Sequence, residues 1–115
     1  MRGKRMYAFE ISTRSLDGSW STVASGVAEF SRPPKASVRS IAERWIHEET
    51  GRLRGGRLIV VGRRRHAPRW LVPAVRIRLL DRAGEYPLAS AYIGEDRRDA
   101  VRRVGLPDLG SVDRG

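Results

Sequence analysis

Apolar and polar residues alternate along residues 6–13. Tyr7, Phe9, Ile11 and Thr13 fall on one side of an extended chain, and Glu10, Ser12 and Arg14 on the other. A period of two predicts a half-buried strand. Asp17-Gly18 is a hairpin turn signal, because both residues tolerate positive φ. Residues 20–30 read as the returning strand, with Trp20, Thr22, Ala24, Ala28 and Phe30 on one face. Gly26 inside it predicts a bulge or a close approach. Pro33-Pro34 ends this strand and suits the first turn of a helix. The period then changes. Val38, Ile41, Ala42, Trp45 and Ile46 recur at three- and four-residue spacing, which is one apolar stripe of an amphipathic helix, with Gly51 as its C-cap.

Beyond the loop at Gly55-Gly56, residues 57–65 predict a strand whose middle is buried on both faces, and residues 70–80 predict another. In the second, Val75, Ile77 and Leu79 alternate with Arg76 and Arg78, so one face is core and the other basic. Pro73 implies an edge position or a bulge. A turn at residues 81–85 leads to a fifth strand over 86–93, and residues 95–104 read as a short charged helix closed by Gly105 and Pro107. The order ββαβββα predicts an α+β fold. An antiparallel or mixed sheet carries the amphipathic helix on one face, with a short C-terminal helix. One domain over residues 1–105 and a flexible tail over 106–115 are expected. The stripe Val38, Ile41, Trp45 and Ile46 should pack with Phe9, Ile11, Ile59 and Val61. An exposed fifth strand, or an edge at Pro73, would allow a homodimer.

Charge changes this picture more than composition does. The 115 residues carry a net charge of +10, with 21 arginines and 2 lysines. The preference for arginine fits a G+C-rich bacterial genome and says little. The excess charge favours polyanionic partners: nucleic acid, anionic lipid or an acidic protein. It is also concentrated, since residues 51–80 hold nine arginines and no acidic residue. Without cysteine there is neither a disulfide framework nor a thiolate metal site, which fits a reducing cytoplasm. The longest pure apolar run, Leu58-Ile59-Val60-Val61, is far too short to span a membrane, and the basic N-terminus is followed by no apolar run of a secretory signal.

Arg63-Arg64-Arg65-His66, followed by Arg69 and Trp70, lies between two predicted strands and so would cap a basic hairpin. Arg76 and Arg78 would return along that ribbon, with Arg52, Arg54 and Arg57 near its base. Guanidinium groups fork onto phosphate oxygens and enter narrow minor grooves, and two-stranded ribbons enter DNA grooves. Trp70 and His66 could stack on an exposed base. These residues predict a nucleic-acid-binding protein, DNA ahead of RNA, with a regulatory or architectural role in transcription. The bland reading of the same residues is a solubilising turn in an arginine-rich proteome. The helix stripe around Trp45 reads as core, and the charges of residues 95–104 as pairs on a solvated helix. No phosphate-binding glycine loop, serine elbow or zinc-protease helix is present, so neither catalysis nor a cofactor or metal is expected.

Residues 7–46 resemble the strand–strand–helix unit of HicB-type antitoxins, through Tyr7-Ala8-Phe9-Glu10-Ile11, the turn Asp17-Gly18 and the helix at 38–46. The likeness covers about a third of the chain, and the arginine-rich second half departs from that pattern. No function is carried over from this likeness. Independently, the alternative to nucleic-acid binding is a small antitoxin-like or inhibitor-like module that binds an acidic protein partner.

Overall fold

A computed structural model describes residues 5–48 and 56–104. The elements are β1 (Arg5–Arg14), β2 (Trp20–Phe30), α1 (Pro34–Glu48), β3 (Arg57–Gly62), β4 (Leu71–Leu80), β5 (Pro87–Asp96) and α2 (Arg97–Val104). The fold is α+β in the predicted order. The five strands form one antiparallel sheet in the spatial order β2-β1-β4-β5-β3. The predicted C-cap at Gly51 and the tail over 106–115 lie outside the described residues, as do Arg52 and Arg54.

The period-two pattern sets the two faces of the sheet. Ile11 pairs with Ile77 and Phe9 with Leu79. Ile77 in turn pairs with Ala91 and Val75 with Ile93. These residues share the face that α1 covers, where Val38 and Ala42 of the helix stripe are fully buried. Ile41, Trp45 and Ile46 are half-buried against the same cluster. The helix packs over β5, β3 and β4. Ala89 and Ala91 on β5 keep that part of the sheet low, so the helix can approach closely. Each fully buried aliphatic side chain here, such as Ile77 or Leu79, contributes about 1.5–3 kcal/mol.

Pro34 opens α1, where its missing N–H costs nothing, and the Ser37 hydroxyl donates to the Arg32 carbonyl at 3.0 Å. At the β1–β2 turn Gly18 adopts φ 91°, as the hairpin signal requires. Gly26 marks a close approach: a Cβ there would lie 3.1 Å from the Phe9 ring.

The structure corrects several sequence expectations. The bulge in β2 falls at Val23, between the pairs Ile11–Ala24 and Ser12–Thr22. One extra residue reverses the side on which the strand's start presents its side chains. Trp20 and Thr22 therefore face away from α1, opposite to Ala24, Ala28 and Phe30. β3 is an edge strand rather than a strand buried on both sides. Leu58 and Val60 face the helix through their pairing with Ile93 and Ala91, so Ile59 and Val61 lie on the other face, half-buried. β4 and β5 are interior strands, so neither Pro73 nor the fifth strand is a free edge for a second chain; the edges are β2 and β3. Pro73 is accommodated by a bulge before Val75, opposite Gly94, where a Cβ would come within 2.1 Å of the Val72 carbonyl oxygen. The last helix starts at Arg97, two residues later than expected, because Glu95 and Asp96 extend β5.

Candidate nucleic-acid interface

The predicted ribbon does not form. β5 lies between β3 and β4, so the segment 63–70 is a crossover between parallel strands rather than the tip of a hairpin. The tight turn that makes a hairpin of β4 belongs to residues 81–86, where the Asp81 N–H donates to the Tyr86 carbonyl and Gly84 adopts φ 76°. The segment after Gly62 offers no comparable pair of turn residues. β5, with two alanines on its helix side, fits instead the central position beneath α1.

The crossover separates what the sequence placed together. Gly62 pairs with Ala89 at the start of β5, and a Cβ on it would lie 3.8 Å from the Lys35 side chain in the first turn of α1. Leu71 pairs with Asp96 at the other end of β5. Arg63, Arg64 and Arg65 thus stand at one end of the sheet and Arg69 and Trp70 at the other, roughly 20 Å apart at the usual rise per strand residue. Arg63, Arg64, Arg65, His66 and Arg69 are exposed. Arg64 holds φ 62° within a turn closed by the Arg65 N–H on the Gly62 carbonyl at 3.3 Å. Such a φ is costly for a non-glycine residue, by about 1 kcal/mol or more. The turn displays three consecutive guanidinium side chains.

The sheet face away from α1 holds the remaining predicted residues, Arg57, Arg76 and Arg78. Alternation on β4 places both of its arginines there, as predicted. Their surroundings differ. Arg78 donates through Nε to Glu10 Oε1 at 2.7 Å and through Nη2 to the same oxygen, so its charge is neutralised within the fold. Arg76 forms no ion pair among the described residues, although the Glu10 charge also acts on it. Its guanidinium carbon lies 4.6 Å from the centroid of the Trp20 ring, within cation–π range. Its Nε is buried without a hydrogen-bond partner among the described residues. Desolvation lowers the Arg76 pKa, and the neighbouring Arg78 charge adds to this. The guanidinium is nonetheless always protonated at physiological pH. Arg76 is thus a fixed, partly desolvated cation with an unused donor. Trp20, its stacking partner, escaped the sequence pattern because the Val23 bulge moved it across the sheet.

Trp70 joins a different neighbourhood from the arginine turn. Its carbonyl accepts the Arg97 N–H at 2.7 Å, and the Arg69 carbonyl accepts Arg97 Nε at 3.2 Å. Asp96 caps α2 by accepting the Arg98 N–H at 2.9 Å. Trp70, Asp96, Arg97, Arg98, Val101 and Arg102 line an open pocket.

A second concavity lies on the helix side. α1 sits over the β4–β5–β3 half of the sheet. A groove remains between α1 and the β1–β2 hairpin, lined by Phe9, Phe30, Ile41 and Trp45 and rimmed by Glu29, Arg44 and Glu48. Among the described residues, no three His, Asp or Glu side chains come together as metal ligands, and no helix is long and apolar enough to cross a membrane. Comparison with protein-family models, curated proteins and solved structures yields no match.

Proposed function

We propose that the protein binds nucleic acid through a phosphate-contacting surface made by the open sheet face and the crossover beside it. DNA in a regulatory or architectural role remains the first reading and RNA the second. The supporting observation is Arg76. It carries a fixed positive charge with no direct ion pair among the described residues, while the adjacent Arg78 is paired with Glu10. A protein that needed these arginines only for solubility would have no use for a desolvated one held rigid against an indole ring. A phosphodiester group is a matching counter-charge for this cation, and Arg57, Arg63, Arg64, Arg65 and Arg69 supply further contacts. Groove entry by a ribbon is no part of this proposal, since β3 and β4 are not paired.

Counterion release gives the test. Four to six engaged arginines should make the logarithm of the binding constant fall against the logarithm of salt with a slope of roughly −4 to −5. Replacing Arg63, Arg64 and Arg65 together with Ala should flatten that slope by about 2–3. Replacing Arg32, Arg39 and Arg44 removes the same formal charge from α1 and the segment that leads into it, and should change the slope far less. Equal losses in the two triple variants would reduce the effect to net charge. No binding of DNA or RNA by the wild type at about 50 mM salt would overturn the proposal.

The groove beside Trp45 favours a second reading, a protein-interaction module. Half-buried aromatic residues line a cleft that the fold leaves uncovered. The groove rim is of mixed charge, so an acidic partner would be drawn by the arginines rather than by the groove. Stoichiometric co-purification of one acidic protein would support this reading.

A further inference from the structure

Trp70 is 41% exposed, and Val101 beside it is 42% exposed. They meet at an open pocket edged by Arg97, Arg98 and Arg102, so among the described residues the indole lies beside an aliphatic wall and a cluster of cations. Trp20 is already stacked by Arg76, and Trp45 is packed against the core beneath α1. Trp70 is therefore the indole that, among the described residues, lies beside arginines without stacking on one of them.

We propose that this pocket takes an unstacked nucleobase of a single strand, with Trp70 as the stacking platform. Arg98 and Arg102 would contact the flanking phosphates. The inference rests on the nucleic-acid reading above and adds the substrate class, single-stranded rather than fully paired nucleic acid. Three features carry it. An aromatic face and an aliphatic wall suit the flat apolar surface of a base. The cations lie on one short helix, with Arg98 in its first turn and Arg102 one turn further on. The pocket is also held in place by the fold, since Arg97 is tied to the carbonyls of both Arg69 and Trp70. Asp99 pairs with Arg102 at 3.5 Å, an exposed contact that a phosphate can displace. Bases in a duplex are stacked and paired, so their faces are not available to an indole on a surface pocket.

The test compares three fluorescently labelled ligands of equal length: a mixed-sequence single-stranded DNA, the same strand with abasic sites throughout, and a blunt duplex. The wild type should bind the intact strand about tenfold more tightly than the abasic one. Trp70→Ala should abolish that ratio while leaving the salt slope unchanged, and Trp70→Phe should restore most of it. Arg98→Gln should weaken intact and abasic strands alike and flatten the salt slope by about 0.7. The Trp70 side chain is exposed and its structural bond is made by its carbonyl, so both Trp70 variants should melt like the wild type. Equal wild-type affinity for the intact and abasic strands, or an undiminished ratio in Trp70→Ala, would overturn this inference and leave the phosphate-binding surface standing. Failure of the wild type to bind any of the three would instead remove the nucleic-acid reading itself.

Discussion

The two faces of one sheet have met opposite demands. On the face under α1, residues 75, 77 and 79 of β4 meet residues 89, 91 and 93 of β5, and all six are apolar and buried. On the other face the intervening residues of the same strands include Arg76, Arg78, Ser90 and Tyr92. Over β4 and β5 the covered face is explained by the hydrophobic effect, since these side chains find apolar neighbours. The open face is not. Burial does not ask for two neighbouring arginines in the centre of a sheet, and among the described residues only Arg78 of the two forms an ion pair. That residual mismatch between a side chain and its surroundings is what the proposed phosphate contact would relieve.

The largest effect should come from truncating the covered face. Ile77 is fully buried, and Ile77→Ala should cost about 3–4 kcal/mol from lost transfer energy and the cavity left behind. Against a typical total of about 5–15 kcal/mol, the variant should melt far below the wild type. Its neighbour gives the contrast. Arg76→Met keeps the aliphatic bulk beside Trp20 and removes a buried donor without a partner, so stability should stay within about 1 kcal/mol. Its affinity for nucleic acid should nevertheless fall. If thermal melting showed Arg76→Met to be as damaging as Ile77→Ala, the Trp20–Arg76 stack would be holding the sheet together, and the case for a ligand at Arg76 would collapse.

The sequence made the covered face legible and the open face only partly so. Strict alternation in β1 and β4, together with the helix stripe, identified Tyr7, Ile11, Val38, Ala42 and Ile77 as residues on core-facing sides, because burial imposes a period that composition cannot mimic. Trp20 was misplaced because a bulge is a backbone event; Val23 carries no mark that distinguishes it from an ordinary strand residue. The ribbon failed for a different reason. Adjacent strands in sequence usually pair, yet β5 enters between β3 and β4, and that choice depends on contacts far apart in the chain. The arginines were all visible, but their division between two ends of the sheet was not. Nor was the meeting of Trp70 with α2, which requires β5 to run on through Asp96.

The Glu10–Arg78 pair allows a sharper comparison within the open face. Glu10→Gln removes the acid but keeps the shape of the side chain. The pair is partly exposed, so the loss of stability should be under about 1 kcal/mol. Arg78 would then be as free as Arg76, and binding of a nucleic acid should strengthen about two- to threefold, with the salt slope steeper by up to about one. Arg76→Met and Glu10→Gln thus move affinity in opposite directions on one surface, and filter binding at two salt concentrations would show it. Unchanged affinity in Glu10→Gln would place Arg78 outside the contact surface.

The smallest effect concerns the turn that delivers Trp20 to the open face. Asp17 Oδ1 accepts from the Ser15 hydroxyl at 2.5 Å, the Ser19 N–H at 2.9 Å and the Ser19 hydroxyl at 2.7 Å. The Ser15 hydroxyl, followed by the two Ser19 donors, holds the Asp17 pKa at about 2, below its ordinary 3.8. All three hydrogen bonds favour the carboxylate. Above about pH 4 the folded and unfolded forms are both ionised, and the turn's contribution is fully present. As the pH falls from about 4 towards 2, the unfolded chain takes up the proton first, so the contribution is lost over that window and is gone below it. Carbon-detected titration of the Asp17 carboxyl should therefore find a midpoint near 2. Asp17→Asn should melt below the wild type at neutral pH and approach it near pH 2. A midpoint near 4 would mean that the serine contacts do not persist in solution. The start of β2 would then lose its local anchor, and the Trp20–Arg76 stack would rest on the Val23 bulge alone.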